Sequence, residues 1–98
     1  PCCICGKPGP SDPHHLMRVE PGARGMGMRT ADKWAIPCCR KDHDWVQAGD
    51  EEAKLASKGI DGRALARALW ASRDDPSGML RAVLHMRQEA ALKMRAAT

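Results

Sequence analysis

The run Asp12-Pro13-His14-His15-Leu16 sets two imidazoles side by side between two cysteine clusters, Cys2-Cys3-Ile4-Cys5-Gly6 before it and Pro37-Cys38-Cys39-Arg40-Lys41-Asp42-His43 after it. Thiolates and imidazoles are the ligands of zinc and related metals, and two cysteines separated by two residues can grip one ion from a single tight turn. The spacing predicts a domain built around a metal.

The rest of the composition makes that staple important. A chain of 98 residues leaves about 40 % of its unfolded surface exposed after folding. Trp34, Trp45 and Trp70 are its only aromatic rings, with no Phe or Tyr. Apolar burial must come from Leu, Met, Val and Ala, and a thin core of that kind borrows stability from metal binding.

Five cysteines also admit a disulfide reading. The odd number and the Cys-x-x-Cys-Gly turn favour metal, and the absence of an apolar leader before Cys2 points to a reducing cytoplasm. No apolar run is long enough to span a membrane. The formal net charge is +4 and is shared evenly, with seven Lys and Arg against five Asp and Glu over residues 1–49 and nine against seven over residues 50–98. Such an excess suits an anionic partner such as DNA but is also common among ordinary proteins.

Pro and Gly over residues 7–13 read as a loop leading into a short strand, His14–Val19. Residues 20–31 carry Gly22, Gly25 and Gly27 with Arg24 and Arg29, a basic loop, and Lys33–Pro37 reads as a second strand able to pair antiparallel with the first. A helix follows from Cys39 through Gln47 and stops at Gly49. Residues 50–57 form another, with Asp50, Glu51 and Glu52 in its first turn, where the helix dipole favours acids. Asp61 is a suitable N-cap for Gly62–Arg73, with Leu65, Ala68 and Leu69 on one face. Pro76 opens a last helix to about Ala96, with Leu80, Val83, Leu84 and Ala91 as its apolar stripe. The expected class is α+β, with residues 1–58 as a metal-stapled core and residues 59–98 as a helical extension, packed on that core or serving a homodimer.

Cys2 and Cys5 fit a zinc knuckle, because Gly6 lets the backbone turn behind the sulfurs. Cys39 at a helix start and Asp42 one turn later complete four ligands, although Cys3 or Cys38 can stand in for Asp42. The alternative is that these are free buried thiols. His43 and Gln47 lie one helical turn apart on one face. His14 and His15 alternate along a strand, so one can ligate a metal while the other addresses a water; capping or surface roles are the alternative.

Together, Cys-x-x-Cys-Gly, Asp12-Pro13-His14-His15-Leu16, Gly25-Met26-Gly27-Met28 and Ile36-Pro37-Cys38-Cys39-Arg40-x-x-His43 resemble the HNH nucleases of phages and prophages, closest to the phage recombination-associated HNH proteins. The similarity continues through Gly49-Asp50-Glu51 and Gly59-Ile60-Asp61 to Leu69-Trp70, covering residues 2–70; residues 74–98 have no counterpart.

The resemblance implies a zinc-stabilised ββα-metal (HNH) core followed by C-terminal helices, and a metal-dependent DNA endonuclease of low sequence specificity acting in phage DNA processing or recombination. It makes His15 the general base, and His14 and His43 ligands of a catalytic cation. Gln47 falls where relatives carry a third ligand, usually His or Asn, and its amide oxygen suits Mg²⁺ or Mn²⁺ better than Zn²⁺ or Ni²⁺. Two further departures stand out. Trp34 occupies the place of a loop-fixing Asn, and Asp42 that of a Cys or His. Arg24, Arg29 and Lys33 can supply phosphate contacts or simply form a solvated loop. The rival reading is a non-catalytic zinc-stabilised module that binds DNA or another protein.

Overall fold

The computed structural model describes residues 1–17 and 32–96. Over these residues the chain forms two strands and four helices: β1 (Asp12–His15), a 3₁₀ turn (Asp32–Trp34), β2 (Ala35–Cys38), α1 (Arg40–Gln47), α2 (Glu51–Ser57), α3 (Gly62–Ala71) and α4 (Pro76–Ala96). The class is α+β.

The strands pair antiparallel, with Asp12 opposite Cys38, Pro13 opposite Pro37, His14 opposite Ile36 and His15 opposite Ala35. A two-stranded ribbon has an open edge on each side, which is where proline is tolerated in a sheet. Both strands differ from the sequence expectation. β1 starts at Asp12 instead of His14, and Arg18 and Val19, expected at its end, lie outside the described residues, as does the basic loop with Arg24 and Arg29. β2 starts at Ala35 instead of Lys33, because the preceding three residues wind into the 3₁₀ turn and carry Trp34 into the core at 6 % exposure. The Leu16 N–H donates to the Trp34 carbonyl at 2.9 Å, so backbone pairing continues past β1.

Local chemistry explains the helix starts. Asp50 Oδ1 accepts from the Ala53 N–H and Asp61 Oδ1 from the Ala64 N–H, both at 3.1 Å, satisfying donors that a helix N-terminus leaves bare. Cys39 is the extended residue before α1 and makes no side-chain cap.

One core runs through the molecule. Trp34, Ile36, Cys38 and Val46 from the ribbon and α1 pack with Leu55, Ile60, Leu65, Ala66, Leu69, Val83 and Ala90 from the helices that follow. Residues 59–96 thus share a core with residues 1–58. The buried faces are rotated from those expected. On α3 it is Ala66 that is buried with Leu65 and Leu69, and Ala68 is exposed. On α4 the buried face runs through Met79, Ala82, Val83, Met86 and Ala90, while Leu80 (45 %) and Leu84 (52 %) are exposed and Ala91 faces solvent. The reason is close packing: Gly59, at φ +73°, lies against the α4 backbone, and a Cβ there would meet the Ala90 carbonyl oxygen at 2.9 Å. No helix among the described residues is long and apolar enough to cross a membrane.

Gly59→Ala should destabilise the protein by about 2 kcal/mol, since it combines a left-handed backbone with a backbone clash. Urea denaturation of the metal-loaded protein checks this; an unchanged midpoint would mean that α4 does not press on Gly59.

Candidate metal centre and histidine cluster

The N-terminal knuckle folds back on the start of α1. The Gly6 N–H donates to the Cys2 carbonyl at 3.0 Å, closing a tight turn, and the Cys3 N–H donates to the Pro37 carbonyl at 2.9 Å, laying the knuckle beside β2. Gly6 sits at φ +78°, a conformation that glycine adopts without strain. These constraints bring Cys2, Cys5, Cys39 and Asp42 together, with one potential ligand atom from each lying within 4.8 Å of all the others.

The separations are those of a coordination shell. Cys5 Sγ and Cys39 Sγ are 3.8 Å apart, and Asp42 Oδ2 lies 3.2 Å from Cys2 Sγ and 3.3 Å from Cys39 Sγ. Sulfurs about 2.3 Å from a small tetrahedral ion stand roughly 3.8 Å from each other, and a carboxylate oxygen roughly 3.5 Å from each sulfur. These four residues can hold a metal.

The electrostatics agree. The backbone hydrogen bond from Lys7 lowers the Cys5 pKa, but Asp42, burial, Cys2 and Cys39 together outweigh it and push the thiol from its ordinary value near 9 up to about 12. Burial raises the Asp42 pKa, yet hydrogen bonds from Cys5, Cys2 and Cys39 and the charge of Lys41 hold it below the ordinary carboxylate value. Without metal, protonated thiols share one carboxylate; a metal must displace those protons.

Cys3 (1 % exposed) and Cys38 (0 %) belong instead to the apolar core. The Cys38 pKa is pushed far up by its hydrogen bond with Cys3, then by burial and the neighbouring Cys3, Cys2 and Asp42 charges. They are packing residues, and Asp42 fills the fourth position that the sequence left open.

A second cluster stands above α1. His14 on β1 is 3 % exposed and its ring meets that of His43 on α1 edge to face, with centroids 5.1 Å apart. The third member is Glu51, the first residue of α2, 8 % exposed. His14 Nε2 donates to Glu51 Oε1 at 2.6 Å, and the Met17 N–H donates to Glu51 Oε2 at 2.9 Å. His43 Nδ1 is buried without a hydrogen-bond partner; its 3.7 Å separation from Asp44 Oδ1 is too long for one. Sequence reasoning missed Glu51, because an acid in the first turn of a helix is fully accounted for by the helix dipole.

The other sequence candidates are more scattered. His15 closes β1 opposite Ala35 and is half-buried. Gln47 is exposed in the last turn of α1. Lys33 is exposed, with its ammonium 5.8 Å from the Trp34 ring centroid. Trp34, where the HNH resemblance led to the expectation of an Asn, is a core residue.

For the metal-free protein the signs are opposite. The lowered Asp42 pKa contributes stability that is present above about pH 4 and is lost as pH falls. The raised Cys5 pKa contributes stability that is present below about pH 9 and is lost as pH rises toward about 12. Chelated protein should therefore show a stability plateau between those limits, and metal loading should abolish the alkaline decline because thiolates become ligands. Urea midpoints at pH 7 and pH 10, with and without metal, test it. Cys38→Ala should keep its metal, while Cys39→Ala should lose more affinity than the roughly 10- to 100-fold caused by losing an outer partner; equal affinities would exchange the roles of the two cysteines.

Comparison with known proteins places both clusters inside a single matched region. A 44-residue stretch is 46 % identical to the uncharacterized protein YdfU of Escherichia coli (strain K12), covering 45 % of this chain and 12 % of that protein, so the match takes in about an eighth of the relative. No solved structure matches. A family model matches residues 1–67, which include all four residues of the thiol cluster and His14, His43 and Glu51, and the chain belongs to that family, described as a protein of unknown function (DUF968).

Proposed function

We propose that the chain is a metal-dependent DNA endonuclease with a ββα-metal core of the HNH kind, in which zinc at Cys2, Cys5, Cys39 and Asp42 is structural and a second cation at His14 and His43 is catalytic. The observation that carries this reading is the histidine cluster. A module that used its metal only to fold would gain nothing from burying His43 Nδ1 without a partner, since desolvating an unpaired polar group is costly. A cation between two strand- and helix-borne imidazoles supplies the missing partner.

The residues divide the work. His14 and His43 would hold the cation; Gln47, one turn beyond His43, would offer an amide oxygen, which favours Mg²⁺ or Mn²⁺ over Zn²⁺ or Ni²⁺. A cation held there would supply neutralisation of charge on the scissile phosphate and the leaving oxygen. His15 takes the proton from the attacking water. Lys33, with Arg24 and Arg29, contacts backbone phosphates, which fixes position without reading sequence.

Purified protein should nick supercoiled plasmid with Mg²⁺ or Mn²⁺, and His15→Ala should lose about 10²- to 10⁴-fold in rate while keeping its zinc. Equal cutting by both proteins would point to a contaminating nuclease. No cutting by a zinc-loaded wild type would return the chain to the non-catalytic module.

A further inference from the structure

Glu51 is an ionisable residue at 8 % exposure that helix capping does not explain, because Asp50 already caps α2. Its two oxygens have different jobs. Oε1 accepts from His14 Nε2 at 2.6 Å and Oε2 accepts from the Met17 N–H at 2.9 Å. The carboxylate is thereby locked to the end of β1 from a helix 37 residues away in sequence. A carboxylate only accepts, so Nε2 must carry the hydrogen. The neutral imidazole then has its lone pair on Nδ1 alone, and ring rotation is blocked. Histidines that ligate metals typically give their other N–H to a carboxylate or carbonyl in this way.

We propose that Glu51 is the positioning residue of the cation site: by accepting from Nε2 it sets the His14 tautomer and ring orientation, so that His14 binds a divalent cation through Nδ1, next to His43. This rests on the cation site of the nuclease reading, but not on DNA cleavage itself. Glu51 touches neither cation nor DNA, and its effect passes through His14.

The test uses the full chain loaded with zinc, with Mn²⁺ as the probe. In ¹⁵N spectra of the imidazoles, His14 should carry its hydrogen on Nε2 in the wild type and become a tautomer mixture in Glu51→Ala. Mn²⁺ affinity, read by electron paramagnetic resonance of the free ion, should fall about 10- to 100-fold in Glu51→Ala. Glu51→Gln should lie between, since its amide oxygen still accepts from Nε2–H. On a His14→Ala background, Glu51→Ala should add no further loss, as expected when one residue acts only through the other.

His14 protonated on Nδ1 in the wild type, wild-type Mn²⁺ affinity in Glu51→Ala, or no Mn²⁺ binding by the wild type would each overturn the assignment. An additional loss on the His14→Ala background would make Glu51 a ligand and overturn the positioning role. If Glu51→Ala does not fold, the wild-type tautomer and the Glu51→Gln affinity still decide. Wild type that binds Mn²⁺ with this dependence yet never nicks DNA would sink the nuclease reading and leave Glu51 in place.

Discussion

Everything in the N-terminal half depends on the closure between the knuckle and the first turn of α1. Cys2 and Cys5 come from the chain's start, Cys39 and Asp42 from the step between β2 and α1. Joining them fixes where α1 begins and how it is rotated relative to β2. His43 follows Asp42 directly, so a helix anchored at Cys39 and Asp42 has no freedom to turn His43 away from His14. The thiol cluster is in this sense the hinge pin of the histidine cluster, and a metal that stabilises one also preorganises the other.

Asp42 is well suited to the fourth place. Cys39 and Asp42 lie three residues apart at a helix start, a spacing that puts both on one face. A carboxylate in the first turn also gains from the helix dipole, which a neutral thiol would not. The hydrogen bonds that Asp42 accepts from Cys2 and Cys39 hold the set together before any ion arrives. The departure from the pattern of Cys or His is therefore compatible with an intact site.

What could be read in the sequence was what is local. The Asp61 cap acts within three residues and was legible, whereas Asp50, read as a first-turn acid, stands one residue earlier as the cap of α2; Cys2, Cys5, Cys39 and Asp42 were legible because chelate spacing is itself a local property. Most of the misses involve distant partners. A strand of four residues carries too little pattern to locate its ends, and Trp34 reads as strand until the core that takes it up is known. The α4 stripe looked best through Leu80 and Leu84, yet the packed face runs through Val83 and Ala90, where the α4 backbone lies against Gly59. Glu51 could not be singled out, because its partners His14 and Met17 lie more than thirty residues away.

The same long-range logic joins the C-terminal helix to the candidate metal centre. Arg87 on α4 donates from Nη1 to the Ile4 carbonyl at 2.9 Å, inside the knuckle between Cys2 and Cys5. Its guanidinium covers Gly6 so closely that a Cβ there would lie 2.7 Å from it. Gly6 is favoured by its left-handed backbone, and the Arg87 head group lies directly over it. A planar guanidinium that fills one carbonyl lone pair and shields the turn keeps water from competing for the knuckle's backbone. The helix beyond the family-matched region is therefore no passive appendage. It presses on Gly59 through Ala90 and on the knuckle through Arg87, which ties α4 to the residues that could hold a metal.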